Sequence, residues 1–192
     1  KIFKKTKVLV VEKYYAGNDY RIVVLDGEVI SAYQREALTI TGDGKNTIYE
    51  LLEKKQLEFI HKGRDTIIDF EDYRIKLKLK RSGFSFDSVI KMNDTIQLLD
   101  NANLSTGGNS YDFTNKIHPD YSSLAINISK DMDLRLCGVD IMTNDLSKGL
   151  SDYVVIEINS SPGLDNYASL GEKQVKIVED LYLKILKSLE KS

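Results

Sequence analysis

The chain has 192 residues, 42% of them hydrophobic, enough for one substantial core with room for a small appended lobe. Its 27 basic and 29 acidic side chains are interspersed and leave a formal net charge of −2, so neither a nucleic-acid surface nor an acidic tail is indicated. A single cysteine, Cys137, excludes a disulfide framework, and no stretch approaches membrane-spanning length, so the expectation is a cytoplasmic protein without a nucleic-acid or membrane partner.

The chain starts at Lys1 rather than at a methionine and runs at once into the apolar stretch Lys7-Val-Leu-Val-Val11, which reads as a central strand of a fragment or processed piece. Tyr20 to Leu25 and Glu28 to Tyr33 are strand-like runs joined by Asp26-Gly27, a strong hairpin signal. Gln34-Arg35-Glu36 ends the second arm, and a Gly-rich loop, Thr41-Gly-Asp-Gly-Lys-Asn46, follows. Thr47 with Glu50 forms a capping box that opens a helix with Ile48, Leu51, Leu52 and Phe59 inward. For residues 69–80, a cap at Asp69 and a stop at Gly83 favour a helix, whereas the alternation of Ile75, Leu77 and Leu79 leaves a strand open. Ser85 to Ile90 and Thr95 to Leu99 read as short strands, followed by the polar loop 100–109. His118-Pro119 starts a helix whose apolar side is Tyr121, Leu124, Ile128 and Met132. Two strands follow, 136–142 and 153–159, and then an amphipathic helix over 172–189 with Val175, Val178, Leu181, Tyr182, Ile185 and Leu189 inward. The class is α+β, a largely antiparallel sheet with flanking helices packed on one face.

The last two strands carry polar residues that a buried strand does not need. Alternation along 153–159 puts Glu157 and Asn159 on one face with Val155, and Val154, Ile156 and Ile158 on the other. The preceding strand carries Asp140. A buried carboxylate needs a cation, a donor or water, and Asp, Glu and Asn on neighbouring strands make an all-oxygen set suited to Mg²⁺. An edge strand with solvated acids fits the same pattern. Cys137 is read as a small buried apolar side chain, and His61 and His118 as structural or surface residues.

Five stretches in order, VLVVEKYYAGNDYRIVVLDGEVI at 8–30, REALTITGDGKNTI at 35–48, DNANLSTGGNSYDFT at 100–114, CGVDIMTNDL at 137–146 and VVIEINSSPGL at 154–164, together resemble the ATP-grasp carboxylate–amine ligases. The similar group within that family contains cyanophycin synthetase and the bifunctional glutathione synthetases. The resemblance spans nearly the whole chain and implies a C-terminal catalytic portion over 1–192, with about 47–92 as an insertion. It implies ATP and Mg²⁺, or Mn²⁺, as cofactors. Glu12, Lys13, Tyr14 and Tyr15 match the adenine-side hinge, Asp19 the ribose-binding acid and Asn103 the loop beside the triphosphate, where Gly107 and Gly108 allow backbone amides to approach phosphate. Asp140, Glu157 and Asn159 match the metal ligands, Arg21 and Arg35 the catalytic arginines, and Ser160 and Ser161 the substrate side. Read locally, Glu12 and Asp19 also fit a solvated hairpin end, Tyr14 and Tyr15 fit core aromatics, and each arginine fits a solvated strand position.

The implied reaction forms an acylphosphate from a substrate carboxylate and ATP, which an amine of an amino acid or peptide then converts to an amide. Family members also carry two phosphate-contacting lysines and a glycine-rich flap upstream of the hinge; Lys4, Lys5 and Lys7 lie too near the hinge to be those lysines. The expectation is therefore that an upstream half of the same polypeptide is a partner and that this piece binds nucleotide weakly and does not turn over alone, with a homo-oligomer left open. A non-catalytic binding module and a phosphotransferase on the same fold are the competing classes.

Overall fold

The structure is a computed structural model and describes residues 7–8, 10–11 and 13–189. Glu12, Lys4 and Lys5, and the side chain of Leu189, lie outside the described residues.

A five-stranded sheet forms the centre. Its strands are β1 (Asn18–Leu25), β2 (Glu28–Glu36), β5 (Asn109–Asp112), β6 (Leu136–Thr143) and β7 (Tyr153–Asn159), in the spatial order β5-β2-β1-β6-β7 with every neighbouring pair antiparallel. The β1–β2 hairpin closes on Asp26 and Gly27, both at positive φ, the backbone a two-residue turn of this twist requires. Arg135 pins the turn by two hydrogen bonds to the Asp26 carboxylate.

Helices cover both faces of the sheet, not one. On one face α3 (Pro119–Asp131) packs on Tyr20, Ile22 and Val24 of β1 and on Cys137, Val139 and Ile141 of β6. On the other, α4 (Asp165–Ala168) and α5 (Glu172–Leu189) bring Tyr167 and Leu181 against Val23, Leu25 and Tyr33. The reason lies in β1 itself: residues 22–25 are all buried, so each face of that half-strand needs a cover.

A second core gathers Leu38, Ile40, Ile48, Leu52, Phe59, Ile68, Ile75, Leu79, Ile90, Leu98 and Leu99. It joins a two-stranded sheet of β3 (Thr39–Thr41) and β4 (Thr95–Gln97) to the helices α1 (Ile48–His61) and α2 (Tyr73–Arg81). The capping box forms as expected: the Thr47 side chain accepts from Glu50 N, and Glu50 Oε2 accepts from Thr47 N at 2.7 Å. Residues 73–81 are helical, but the cap is Asp72, three residues later than expected, while Asp69 closes a turn on Glu71 N.

Other expectations change. Ser85 to Ile90 form no strand; Val89 makes one isolated bridge to Thr47. The described residues of 7–11 belong to no strand, and Val11 is 84% exposed. Both edges of β1 are already taken by β2 and β6, so an apolar run preceding it finds no free edge beside its neighbour. Met132, Val175 and Tyr182 are exposed rather than inward: Met132 caps the end of α3, and Val175 and Tyr182 lie at the rims of the apolar stripe of α5. Among the described residues no helix is long and apolar enough to cross a membrane.

Candidate functional site

The face of the sheet covered by α4 and α5 changes character along the strands. Register sets its residues in rows: Asp19 opposite Arg35; Arg21 opposite Tyr33 on one side and Asp140 on the other, with Glu157 beyond; and Gly138 opposite Asn159. The apolar end, Val23 and Leu25, lies under the helices. The charged end is left open.

A bulge decides what β7 contributes. Asp140 pairs with Glu157 but Ile141 pairs with Val155, so Ile156 is the extra residue. Val155 and Ile158 therefore both pack against the α3-side core, while Glu157 and Asn159 share the open face. The strict alternation read from the sequence fails at this residue, yet the grouping of Glu157 with Asn159 survives it. As an edge strand, β7 leaves Glu157 exposed.

Asp140 is 2% exposed and answers its burial with two guanidiniums. Arg21 Nε and Nη2 donate to its two oxygens at 2.6 and 2.7 Å, and Arg35 Nη2 lies 2.9 Å from Oδ2. Arg35 also donates from Nε to Asp19 Oδ1 at 2.7 Å. Forked pairs of this kind combine strength with fixed geometry. The surroundings of Asn159 assign its amide orientation, with the nitrogen donating to Glu157 Oε1 at 3.2 Å and the oxygen accepting from Arg21 Nη2 at 3.1 Å. The six residues form one network, with three carboxylates against two guanidiniums. Burial pushes the Asp19 carboxyl above its ordinary value despite Arg35. Burial opposes the charge on Arg21, but hydrogen bonds to Asp140 and its negative charge outweigh that and raise its pKa.

The donor chemistry fits a hard divalent cation: three oxygen-bearing side chains on two adjoining strands, without nitrogen or sulfur donors. Among the described residues no three His, Cys, Asp or Glu side chains are placed to hold one metal ion, so a third protein oxygen would have to come from an amide such as that of Asn159.

Two clefts meet at Met142, the residue of β6 opposite Asp19, and one of them holds the network. One, of about 470 Å³, is lined by Asp19, Arg21, Arg35, Asn103, Asp140, Met142, Ile156 and Glu157, among others. The other, of about 610 Å³, is lined by Lys13, Tyr14, Tyr15, Met142, Asn144, Tyr153 and Val154, among others. Met142 is common to both. Tyr14 and Tyr15 are exposed rather than core aromatics, and Lys13 Nζ lies 4.9 Å from the Tyr15 ring. Ser160 and Ser161 are exposed beyond the end of β7 and line neither cleft.

The Asn103 loop works differently from the expectation. The amides of Gly107 and Gly108 donate internally, to Leu104 O and Asn103 O. Gly107 has φ +99°, and a Cβ there would lie 2.9 Å from a Leu38 methyl; at Gly108 it would lie 2.5 Å from the Glu36 carbonyl oxygen. These glycines let the loop seat against the small lobe, so their amides are not free for an anion.

Sequence reasoning missed two residues. Gly138 leaves the space across which Arg21 reaches Asp140: a Cβ there would stand 3.3 Å from Arg21 Cδ and 2.9 Å from Pro162 Cβ. The clue was a glycine two residues before the acid. Arg64 donates from Nη2 to the Leu104 and Gly108 carbonyls, from Nε to Thr66 Oγ1 and Asn166 Oδ1, and lies 4.3 Å over the Phe59 ring. It ties the small lobe, the Asn103 loop and α4 together. No local signal marks it, because its partners are distant in sequence.

Residues 96–188 match the RimK-like ATP-grasp domain. The chain is 36% identical over 168 residues to a cyanophycin synthetase of Geminocystis herdmanii, covering 83% of this chain and 19% of that protein. It is likewise 36% identical over 168 residues to the glutathione biosynthesis bifunctional protein GshAB of Mannheimia succiniciproducens, covering 83% and 22%. Among solved structures it resembles a bifunctional glutathione synthetase from Pasteurella multocida, with a TM-score of 0.66 at 28% identity over 89% of this chain and 24% of that one. The chain spans about a fifth of the length of the curated relatives it matches.

Proposed function

From a chain that carries a RimK-like ATP-grasp segment within an ATP-grasp fold, we propose an ATP- and Mg²⁺-dependent ligase portion that activates a carboxylate and joins it to an amine of an amino acid or peptide. The observation that carries this reading is the open end of the sheet face, where oxygens of Asp140, Glu157 and Asn159 stand against the guanidiniums of Arg21 and Arg35 along a cleft that shares Met142 with a second one.

Each residue then has a task. Backbone groups of Lys13 and Tyr15 take the adenine edge in the cleft that Tyr14 and Tyr15 help to wall; Glu12, outside the described residues, is the acceptor for the adenine amino group. Asp19 orients Arg35 through Oδ1 and offers Oδ2 to the ribose hydroxyls. Asn103 borders the triphosphate. Asp140, Glu157 and Asn159 hold Mg²⁺, or Mn²⁺ in its place, which when bound neutralises phosphate charge. Arg21 and Arg35 exchange carboxylate oxygens for phosphate oxygens, and Ser160 and Ser161 flank the approach of the amine.

A substrate carboxylate oxygen bonds to the γ-phosphorus while the bond to the β,γ-bridging oxygen breaks, releasing ADP. The amine then bonds to the acyl carbon, phosphate departs with the bridging oxygen, and the amine proton goes to solvent. Both partners of the first step are anionic, so what the residues supply is alignment and charge neutralisation. No protein nucleophile is required.

Calorimetric titration with Mg²⁺·ADP tests the nucleotide part. Binding is expected for the native chain and a loss of about tenfold or more for Glu157→Gln, an exposed position where the fold is undisturbed. Unchanged affinity removes the metal-holding role of β7. With the upstream half of the polypeptide supplied, hydroxylamine then separates the chemistry, because it traps an acylphosphate as a hydroxamate and leaves a phosphoester untouched.

A further inference from the structure

The row of side chains that holds Arg21 and Asp140 continues in the other direction. Across β2 it reaches Tyr33, and across β5 it reaches Asp112, so Asp112, Tyr33, Arg21 and Asp140 stand in line on four neighbouring strands. The Arg21 guanidinium therefore lies between a carboxylate and a phenol. Tyr33 is 1% exposed and packs in the core under α4 and α5. Its hydroxyl is within hydrogen-bonding reach of Arg21. Burial pushes that hydroxyl above its ordinary pKa, and the charges of Arg21 and Arg35 only partly offset this, so its oxygen meets the guanidinium as a neutral phenol.

The ring of Tyr33 is held from behind. Tyr167 of α4 stacks on it at a centroid distance of 5.1 Å and an interplanar angle of 24°. The Tyr167 hydroxyl lies 2.9 Å from Thr114 Oγ1 and donates to Asp112 Oδ1 at 3.3 Å, and Gln174 of α5 donates to the other oxygen of Asp112. Two stacked tyrosines thus connect α4 and α5 to the arginine of the site. A phenylalanine would fill the core under α4 equally well; the Tyr33 hydroxyl has its use toward the guanidinium. That use grows when Asp140 turns away, because both Nε and Nη2 of Arg21 are committed to it.

We propose that Tyr33, backed by Tyr167, is a positioning residue that holds the Arg21 guanidinium in line, and that this hold persists when Asp140 gives its oxygens to a metal ion. The proposal rests on the carboxylate-activation reading and extends its machinery to α4, which directly follows the Ser160-Ser161 turn. Tyr33 lines neither cleft and acts only through Arg21.

Two variants separate hydroxyl from ring: Tyr33→Phe keeps the stack, and Tyr33→Leu removes it. Tyr121→Phe is the control, since it deletes another buried hydroxyl, on the opposite face, where it lies 2.7 Å from Thr143 Oγ1. NMR of the Arg21 Nε–H signal, identified by its loss in Arg21→Lys, reads the guanidinium without nucleotide. Its exchange with solvent is expected to quicken about fivefold or more in Tyr33→Phe and further in Tyr33→Leu, and to stay unchanged in Tyr121→Phe. The β1 amides are expected to keep their protection in Tyr33→Phe. Calorimetry with Mg²⁺·ADP then closes a double-mutant cycle. Binding is expected to weaken about fivefold in Tyr33→Phe, with no further loss when that change is added to Arg21→Lys. Unchanged Nε–H exchange in Tyr33→Phe overturns the proposal, as do additive losses in the cycle. Quickening of the β1 amides together with Nε–H reduces Tyr33 to a structural role and overturns it too. If the native chain does not bind Mg²⁺·ADP but Nε–H still responds to Tyr33→Phe alone, the hold on Arg21 stands and the activation reading falls.

Discussion

Asp140 shows how one residue organises its surroundings. An acid this deeply buried is tolerated because two arginines from the hairpin reach it, and they reach it because Gly138 has no side chain in the way. Gly138→Val fills that space: the nearest atoms are the Pro162 ring and the stem of Arg21, and neither can retreat without moving the network. Thermal or denaturant unfolding is expected to show a loss of about 1–3 kcal/mol. Nucleotide affinity is expected to fall with it, since Arg21 is displaced from Asp140. An unaltered stability contradicts the packing role of this glycine.

Among the elements, β5, α4 and α5 meet at Asp112, which fixes the helices over the apolar half of the site face. Its Oδ1 accepts from Thr114 N at 2.9 Å, from Thr114 Oγ1 at 2.6 Å and from Tyr167 OH at 3.3 Å, and its Oδ2 from Gln174 Nε2 at 2.9 Å. Burial alone raises a carboxyl pKa, but these donors outweigh it and hold Asp112 below the usual range. A depressed carboxyl contributes stability above its unfolded pKa, and that contribution disappears as pH falls through the folded value. Asp112→Asn is expected to lower the Tm at neutral pH, with the gap to the native chain narrowing below about pH 4. A gap independent of pH contradicts the ionised role. Tyr167, buried against Tyr33 at a ring distance of 5.1 Å, has its hydroxyl pushed up to about 12 by that burial, so it remains a donor throughout this range.

At the scale of the whole molecule, two cores are joined through a few side chains, and this is where sequence legibility divides. Thr47 with Glu50 and Asp26 with Gly27 were legible because their partners lie within a few residues. The shared face of Glu157 and Asn159 was legible from their spacing, but the bulge at Ile156 was not, since it arises from pairing with β6. Arg64 was invisible: Leu104 and Asn166 lie 40 and 102 positions away. Its removal is expected to loosen the coupling between lobes without unfolding either core. In Arg64→Ala, hydrogen exchange is expected to quicken at the amides of Thr106, Gly107 and Gly108, while those of β1 keep their protection. Uniform acceleration through both cores contradicts a local clamp.

The open end of the sheet face is proposed to hold a metal–nucleotide complex. Heteronuclear NMR with substoichiometric Mn²⁺, with and without ADP, tests this directly because the paramagnetic ion broadens only what lies near it. Mn²⁺·ADP is expected to erase selectively the amide signals at 138–142 and 156–159, with those of α2 and the C-terminal half of α5 retained, and Glu157→Gln is expected to remove the effect. Broadening centred elsewhere, or at these residues equally in that variant, contradicts it.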